Sequence, residues 1–290
     1  MGINLRCSQA LGMTGISKST VSRLCAELDS EVERFRNRRL EGEYPYIWLD
    51  ATFLKEREDG RVQNKAMVIA VGVRETGDRH ILGFDLGASE DGAFWLEFLR
   101  SLVARGLKGV RLVISDSHER RKQAIQAALQ GTSRQRCRVH FVRNVLAHVP
   151  KSAQQMVAAS IRTIFIQQDQ ASARAQLVYV AQGLGKRFAR AAEILLEAEE
   201  DILAYMAFPG EHWRQIYSAN TLERMNKELK RRTDVVGIFP NRNSVIRLAG
   251  SVLMEQDDEW AVGKRTTASS PWPSYPAANP SVSPRYCWHG

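Results

Sequence analysis

Cysteine is scarce in this chain, and long apolar runs and paired cysteine spacings are absent. No stretch approaches the ~20 apolar residues that a membrane-spanning helix needs, and the first residues lack the basic-then-apolar layout of a secretory signal. We therefore expect a soluble, cytoplasmic protein without a membrane partner. The absence of paired spacing argues against a disulfide framework and suits a reducing compartment. The four cysteines are Cys7, Cys25, Cys137 and Cys287.

Acidic residues are outnumbered: 41 Lys and Arg face 32 Asp and Glu, a formal net charge of +9. Lys and Arg gain free energy by displacing counterions condensed on phosphates, so nucleic acid is the favoured partner class, ahead of an anionic membrane. A chain of 290 residues can bury one sizeable core plus an appendage, because domains commonly contain ~100–200 residues. We expect one catalytic domain that carries an insertion.

The amino-terminal region predicts a helix. Ser17 is a suitable N-cap, and an amphipathic pattern continues from it towards Phe35. The segment is similar to the second half of a helix-turn-helix, whose polar residues and Arg23 would enter a major groove; a connecting helix is the alternative. We assign residues 1–40 to this partial helix-turn-helix or connecting helix.

The next region alternates between apolar and polar residues, as strands do. Three strands joined by tight turns are followed by a helix, a short apolar strand, a second helix and a further short strand or turn. This order, βββ-α-β-α-β, is that of an RNase H-like domain. The predicted strands cover residues 46–53, 66–73, 80–84, 110–115 and about 136–140, and the predicted helices cover 94–103 and 121–129.

The rest of the chain changes character twice. Residues 150–217 read as helical throughout, with a break at 208–210, and the last thirty or so residues are rich in Ser and Pro. We predict an α/β fold in which an RNase H-like mixed sheet is flanked by helices and interrupted by an all-α insertion. The first part of the core would cover 41–149, the insertion 150–217, the C-terminal helices of the core 218–260 and a disordered tail 261–290.

Two aspartates lie at positions where burial of a charged side chain costs free energy. Asp50 lies within the first predicted strand and Asp116 ends the fourth; in this strand order those strands are neighbours, so the side chains can converge at one edge. An ionised carboxylate among apolar residues costs several kcal/mol unless a cation or hydrogen bonds offset it. A metal ion would supply that offset, and a strand-end Asp that accepts backbone hydrogen bonds is the alternative.

A third carboxylate comes from the helix predicted after the insertion. Glu223 lies beside the buried stripe of this helix and shares its face with several cations, although a solvated face with a Glu–Lys pair is the commoner explanation of such a pattern. The predicted stripe is Leu222, Met225 and Leu229, and the cations are Lys227, Lys230 and Arg231.

The chemistry explains why three carboxylates would be wanted together. Mg²⁺ prefers hard oxygen ligands and takes only one or two carboxylates per ion, so three can place two ions ~4 Å apart. One ion would activate water or a 3′-hydroxyl and the other would stabilise the leaving oxygen, while neighbouring Lys and Arg hold the phosphates. Such a reaction needs no covalent intermediate, and the sequence has no convincing nucleophile motif.

Several segments together resemble the Mutator-type transposases of bacterial insertion sequences, a branch of the RNase H-like DDE transposase superfamily. Each segment is weakly specific alone, but together they follow the family's order from about Ser17 to Trp260. The matching segments are residues 48–53, 105–107, 113–118, 135–144, 219–224, 230–233 and 235–241.

The resemblance implies that Asp50, Asp116 and Glu223 are the catalytic triad and the ligands of Mg²⁺ or Mn²⁺. It also implies an enzyme that cuts DNA at transposon ends and joins the 3′-hydroxyls to target DNA. The implied partners are the terminal inverted repeats, the target DNA and a second copy of the chain, since transposition joins two ends. The implied location is the bacterial nucleoid.

The resemblance further places Cys137 and His140, the family's Cys-x-x-His signature, near the active site in an organising or DNA-binding role. Zinc is disfavoured because a tetrahedral site needs four ligands and no second pair accompanies this one. His118 either touches the ions or phosphate or caps the next helix. The favoured phosphate contacts, for which a solvated charged surface is the alternative, are Arg136, Arg138, Arg143, Lys227, Lys230, Arg231 and Arg232.

Two departures from the family pattern bear on activity. The chain begins inside the helix-turn-helix, and its Ser- and Pro-rich ending differs from the family's basic, aromatic one, which suggests a truncated copy.

Two rival functions follow from the same residues. One is an inactive DNA-binding remnant or repressor; the other is an RNase H-like nuclease that acts on RNA–DNA hybrids, which the insertion and the Cys-x-x-His segment disfavour.

Overall fold

The computed structural model describes residues 17–88 and 91–266. Its first three strands form an antiparallel meander: β1 (Tyr46–Glu58), β2 (Arg61–Val73) and β3 (Arg79–Gly87). Asp59 and Gly60, with φ of 48° and 75°, make the left-handed turn between β1 and β2. All three strands lie where the sequence predicts them and extend further.

The sheet is completed by three short parallel strands. β4 (Leu112–Ser115) pairs with β1, β5 (Ser133–Arg136) pairs with β4, and β6 (Ile238–Phe239) pairs with β1 further along its length. The order β3-β2-β1-β4-β5 confirms the RNase H-like prediction. One boundary was wrong: the last strand ends at Arg136, and the residues after Cys137 are helical.

Eleven helices surround the sheet within the described ranges. Three flank the β-strands of the first half of the chain: α1 (Lys18–Asn37), α2 (Gly92–Ala104) and α3 (Glu119–Ala128). The others follow β5, and two short 3₁₀ turns at Ala204–Ala207 and Gly210–His212 interrupt them. They are α4 (Arg138–Ala147), α5 (Lys151–Ile164), α6 (Gln170–Gly185), α7 (Ala189–Glu197), α8 (Glu199–Leu203), α9 (Trp213–Ile216), α10 (Asn220–Thr233) and α11 (Arg242–Thr266).

Alternation along β1 divides the core into two layers. Ile47 and Leu49 pack with α2 and α3 on one face of the sheet. Tyr46 and Trp48 point to the opposite face, where α4, α10, α11 and the helices after α4 form the larger layer. Because side chains alternate along a strand, Asp50 belongs to this second face, which is why the catalytic candidates can meet helices α4 and α10.

The two ends of the described chain confirm one prediction and correct another. The hydroxyl of Ser17 accepts a hydrogen bond from the Thr20 amide at 3.1 Å, so the predicted N-cap is present. At the other end α11 continues to Thr266, into the stretch that we predicted as disordered; its remainder lies outside the described residues. None of the described helices combines the length and apolar character that a bilayer crossing requires.

Candidate active site

Asp50 and Asp116 extend from neighbouring parallel strands. The register pairs Leu49 with Ser115, so the two aspartates occupy the next position on β1 and directly after β4. Both are half-buried. Asp50 Oδ1 accepts the amide of Ala51 at 2.9 Å, and Asp116 Oδ1 accepts the amide of Ser117 at 2.8 Å. Each therefore makes one local backbone hydrogen bond and keeps lone pairs for other partners.

Burial has a larger effect on the pKa of Asp50 than the neighbouring charges have. It raises the pKa of the Asp50 carboxyl above its ordinary value, and the negative charge of Asp116 adds to this effect, while Arg121 and His140 oppose it. The positive charges of Arg121 and His140 therefore offset the burial of Asp50 only in part. A divalent cation between the two aspartates would compensate for both the burial and their mutual repulsion.

Glu223 reaches the same region because α10 is docked at its start. Trp48 Nε1 donates a hydrogen bond to the carbonyl of Ser218 at 3.1 Å, and the amide of Ala219 donates to Cys137 Sγ at 3.3 Å. The predicted apolar stripe of α10 packs against the sheet, and its buried residues are Leu222, Met225 and Leu229. The half-buried Glu223 faces α4.

His140 lies beside Glu223 and interacts electrostatically with both aspartates. Its Nε2 is 3.4 Å from Glu223 Oε1. A hydrogen bond with Cys137 raises the pKa of His140 to about 9, and the charges of Cys137, Asp116 and Asp50 also favour its protonated form. Protonated at neutral pH, this imidazolium is a counter-ion for the carboxylate cluster.

Cys137 is buried at the beginning of α4. Burial alone would raise the pKa of its thiol, but hydrogen bonds with His140 and with the Ala219 amide outweigh burial, so the pKa lies below its ordinary value. The Cys-x-x-His segment thus connects α4, the start of α10 and the carboxylates.

Two sets of donors here could hold a metal. Ligand atoms of Cys137, His140 and Glu223 lie within 4.8 Å of one another, but a structural zinc site takes four ligands. The oxygens of Asp50, Asp116 and Glu223 suit Mg²⁺ or Mn²⁺ instead. Glu223 Oε1 is buried, lies 3.4 Å from His140 Nε2 and accepts no hydrogen bond from the described residues, so the chemistry of the carboxylate set fits such ions.

Other residues singled out by sequence occupy varied positions. His118 is exposed at the N-cap position of α3, yet its side chain makes no capping hydrogen bond. The buried Arg136 places its guanidinium 5.0 Å from the centre of the Phe141 ring. Arg138 lies 3.7 Å from the centre of the Tyr217 ring, whereas Arg143 is exposed.

The cations of α10 separate into two groups. Lys227 and Lys230 are exposed. Arg231 and Arg232 both pair with Glu228, at 2.6 and 2.8 Å, and Arg232 also pairs with Glu255. The two lysines therefore project from the helix that carries Glu223, while the two arginines make salt bridges.

Sequence reasoning missed Asn226. Its Nδ2 donates a hydrogen bond to Asp50 Oδ2 at 2.7 Å and so joins α10 to β1. Its position one turn after Glu223 was the available signal, since residues three apart on a helix lie on adjacent parts of its surface. Arg121 was also missed; it is buried beside Trp95.

The chain is similar in sequence to several transposases of bacterial insertion sequences. The chain is 48% identical over 261 residues to the transposase for insertion sequence element IS1081 of Mycobacterium tuberculosis, covering 90% of this chain and 63% of that protein. It is 41% identical over 250 residues to the IS406 transposase of Burkholderia multivorans, covering 86% and 64%. It is 37% identical over 256 residues to the IS256 transposase of transposon Tn4001 from Staphylococcus aureus, covering 86% and 65%.

The chain spans less than two thirds of the length of each of these relatives. The sequence profile described as "Transposase, Mutator family" matches residues 5–263, which include every described strand and both helices that carry Glu223 and His140. By this match and these relatives, the chain belongs to the Mutator family of transposases.

Proposed function

We propose that this chain is a DDE transposase that cuts DNA at the ends of an insertion sequence and joins the 3′-hydroxyls to target DNA. The observation that supports the proposal is the position of His140, which lies 3.4 Å from Glu223 and interacts electrostatically with Asp50 and Asp116 on neighbouring strands of an RNase H-like sheet. The names of the relatives support the same reaction.

The three carboxylates would hold two Mg²⁺ or Mn²⁺ ions, which would supply activation of the attacking hydroxyl or water and stabilisation of the leaving oxygen. The residues of the chain contribute positioning. Asn226 fixes the orientation of Asp50 through its hydrogen bond. His140, whose pKa is raised by Cys137 and by the charges of Asp116 and Asp50, would provide positive charge beside Glu223.

The DNA partners would be the terminal inverted repeats and a target duplex. Exposed Lys227 and Lys230 on α10 and Arg143 on α4 are on the two helices that bring Glu223 and His140 to the site, so they are the favoured phosphate contacts. We infer a homodimer on DNA because two ends are joined, and a location in the bacterial cytoplasm at the nucleoid.

The test is metal-dependent strand transfer by the full chain. A labelled duplex that carries the terminal repeat of the encoding element is incubated with supercoiled plasmid and Mg²⁺ or Mn²⁺. Glu223→Gln is compared with Glu228→Gln, a matched substitution on α10 at a half-buried carboxylate that pairs with Arg231 and Arg232. We expect Glu223→Gln to abolish cleavage and joining and Glu228→Gln to retain both.

Other outcomes separate the rival functions. Equal activity in the wild-type chain and Glu223→Gln would contradict the role of Glu223. DNA binding without turnover in the wild-type chain would favour a repressor or remnant, and cleavage of an RNA–DNA hybrid without joining of the duplex would favour a nuclease.

A further inference from the structure

A second concave surface lies beside α10, outside the carboxylate cluster. It is a cavity of about 560 Å³ between α9, α10, α11 and the beginning of β3. Three guanidinium groups and several amides line it, and no Asp or Glu is among its lining residues. The principal lining residues are Arg79, Arg214, Arg224, Asn220, Gln256 and Trp260.

Two of the positive charges in this cavity, those of Arg79 and Arg224, interact with each other. Burial lowers the pKa of Arg79 and the charge of Arg224 lowers it further. The guanidinium carbon of Arg79 lies 5.2 Å from the centre of the Trp260 ring, which holds the charge at the wall. The charges of Arg79 and Arg224 repel each other, and an anion in the cavity would relieve that repulsion.

The beginning of α10 adds to the positive electrostatic potential of the cavity. Ala219 occupies the N-cap position, so no side chain caps the helix. The uncapped amides of a helix N-terminus favour anions. Ser218 and Asn220, on either side of Ala219, line the cavity, so this end of the helix is adjacent to the three guanidinium groups.

The cavity is also near the carboxylates. Successive helical residues are about 100° apart around the axis, so Arg224 projects from α10 roughly 100° from Glu223, within about one helix diameter of ~10 Å. Successive charges on one DNA strand are about 3.4 Å apart along the axis. A strand that passes Glu223 can therefore place a phosphate a few nucleotides away in this cavity.

We propose that the cavity formed by Arg79, Arg214 and Arg224 binds a backbone phosphate of the DNA strand, a few nucleotides from the bond next to Glu223. Guanidinium groups suit this ligand because their planar donors bind phosphate oxygens in pairs. The inference rests on the proposed function for the identity of the strand, but its binding test is independent of catalysis.

The experiment measures binding in the inactive Glu223→Gln background without divalent metal. The double variant Arg214→Gln/Arg224→Gln is compared with Arg190→Gln, a control on α7 whose side chain is exposed and pairs with Glu193. The probe is a fluorescent DNA duplex with a single-stranded 3′ extension, titrated at several salt concentrations. Arg214 and Arg224 are exposed, so both variants should melt at the temperature of the parent.

We expect the double variant to bind about tenfold more weakly and its salt dependence to fall by about one phosphate contact, while Arg190→Gln matches the parent. Equal affinity and equal salt dependence in the double variant, or a parent that does not bind the probe, would overturn the inference. If the binding changes occur but the active chain performs no strand transfer, the proposed function fails and the phosphate site remains.

Discussion

Asp50 is held by two hydrogen bonds of different range. The first comes from its neighbour Ala51 at 2.9 Å, and the second comes from Asn226 at 2.7 Å. Only the second fixes the carboxylate relative to α10, and therefore relative to Glu223. A ligand oriented by such an outer partner binds its ion more tightly than a free one.

Replacement of Asn226 by Ala should weaken metal binding. We expect the Mn²⁺ concentration for half-maximal strand transfer to rise about tenfold, with a smaller change in the rate at saturating Mn²⁺, because the ligands themselves remain. Asn144→Ala, an exposed position on α4, is the control. An unchanged Mn²⁺ requirement in Asn226→Ala would contradict the positioning role.

Cys137, His140 and Glu223 supply only three close donors. Because a structural zinc site needs four, we predict that removal of metal does not unfold this protein. Treatment with EDTA and a zinc-specific chelator should leave the melting temperature unchanged while strand transfer is lost. Release of one equivalent of zinc with a lowered melting temperature would show that the cluster is structural.

Residue types and positions single out the three carboxylates as candidates, but they do not indicate the residues that contact these carboxylates. Asp50 and Asp116 stood out because Asp50 interrupts an apolar strand and Asp116 ends one. The strand order indicated that these two strands are neighbours. The contact between Asn226 and Asp50 joins residues 176 positions apart, and no local pattern encodes it. The same holds for Arg121, whose effect on Asp50 is electrostatic.

At the scale of secondary structure, α11 is fixed to the sheet edge by a buried carboxylate. Asp257 Oδ1 accepts the amide of Ile81 at 2.7 Å, and Oδ2 accepts Arg38 Nη1 at 2.8 Å. Asp257 is only 6% exposed. It therefore joins α11, β3 and the residue that follows α1.

Asp257→Ala should lower the free energy of unfolding by about 2–3 kcal/mol, because it leaves a buried amide and a partly buried guanidinium without their acceptor. The neighbouring Asp258 is exposed, so Asp258→Ala should change the free energy of unfolding by less than about 0.5 kcal/mol. Urea unfolding of both variants measures the difference. Similar losses in the two variants would contradict this role of Asp257.

Element boundaries were less predictable than element order. β5 consists of Ser133, Arg134, Gln135 and Arg136, a polar sequence without strand periodicity, and only its pairing with β4 identifies it. β1 continues to Glu58 because Leu54 and Glu56 are buried while Lys55 and Arg57 are exposed. Tertiary pairing therefore set both boundaries.

At the scale of the whole molecule, the candidate catalytic residues lie on one face of the sheet. α4 and α10 carry His140 and Glu223, and His140 interacts electrostatically with Asp50 inside β1 and with Asp116 directly after β4. Helices α5 to α9 pack in the same layer. The central claim is that these carboxylates form a single site for divalent cations.

Iron-directed cleavage of the polypeptide tests that claim most directly. Fe²⁺ accepts similar oxygen ligands and, with ascorbate and peroxide, cuts the backbone next to the bound ion. We predict cuts near Asp50, Asp116 and Glu223 that excess Mg²⁺ suppresses and that Asp50→Asn abolishes. Cuts that persist in Asp50→Asn, or that lie away from all three carboxylates, would contradict the account.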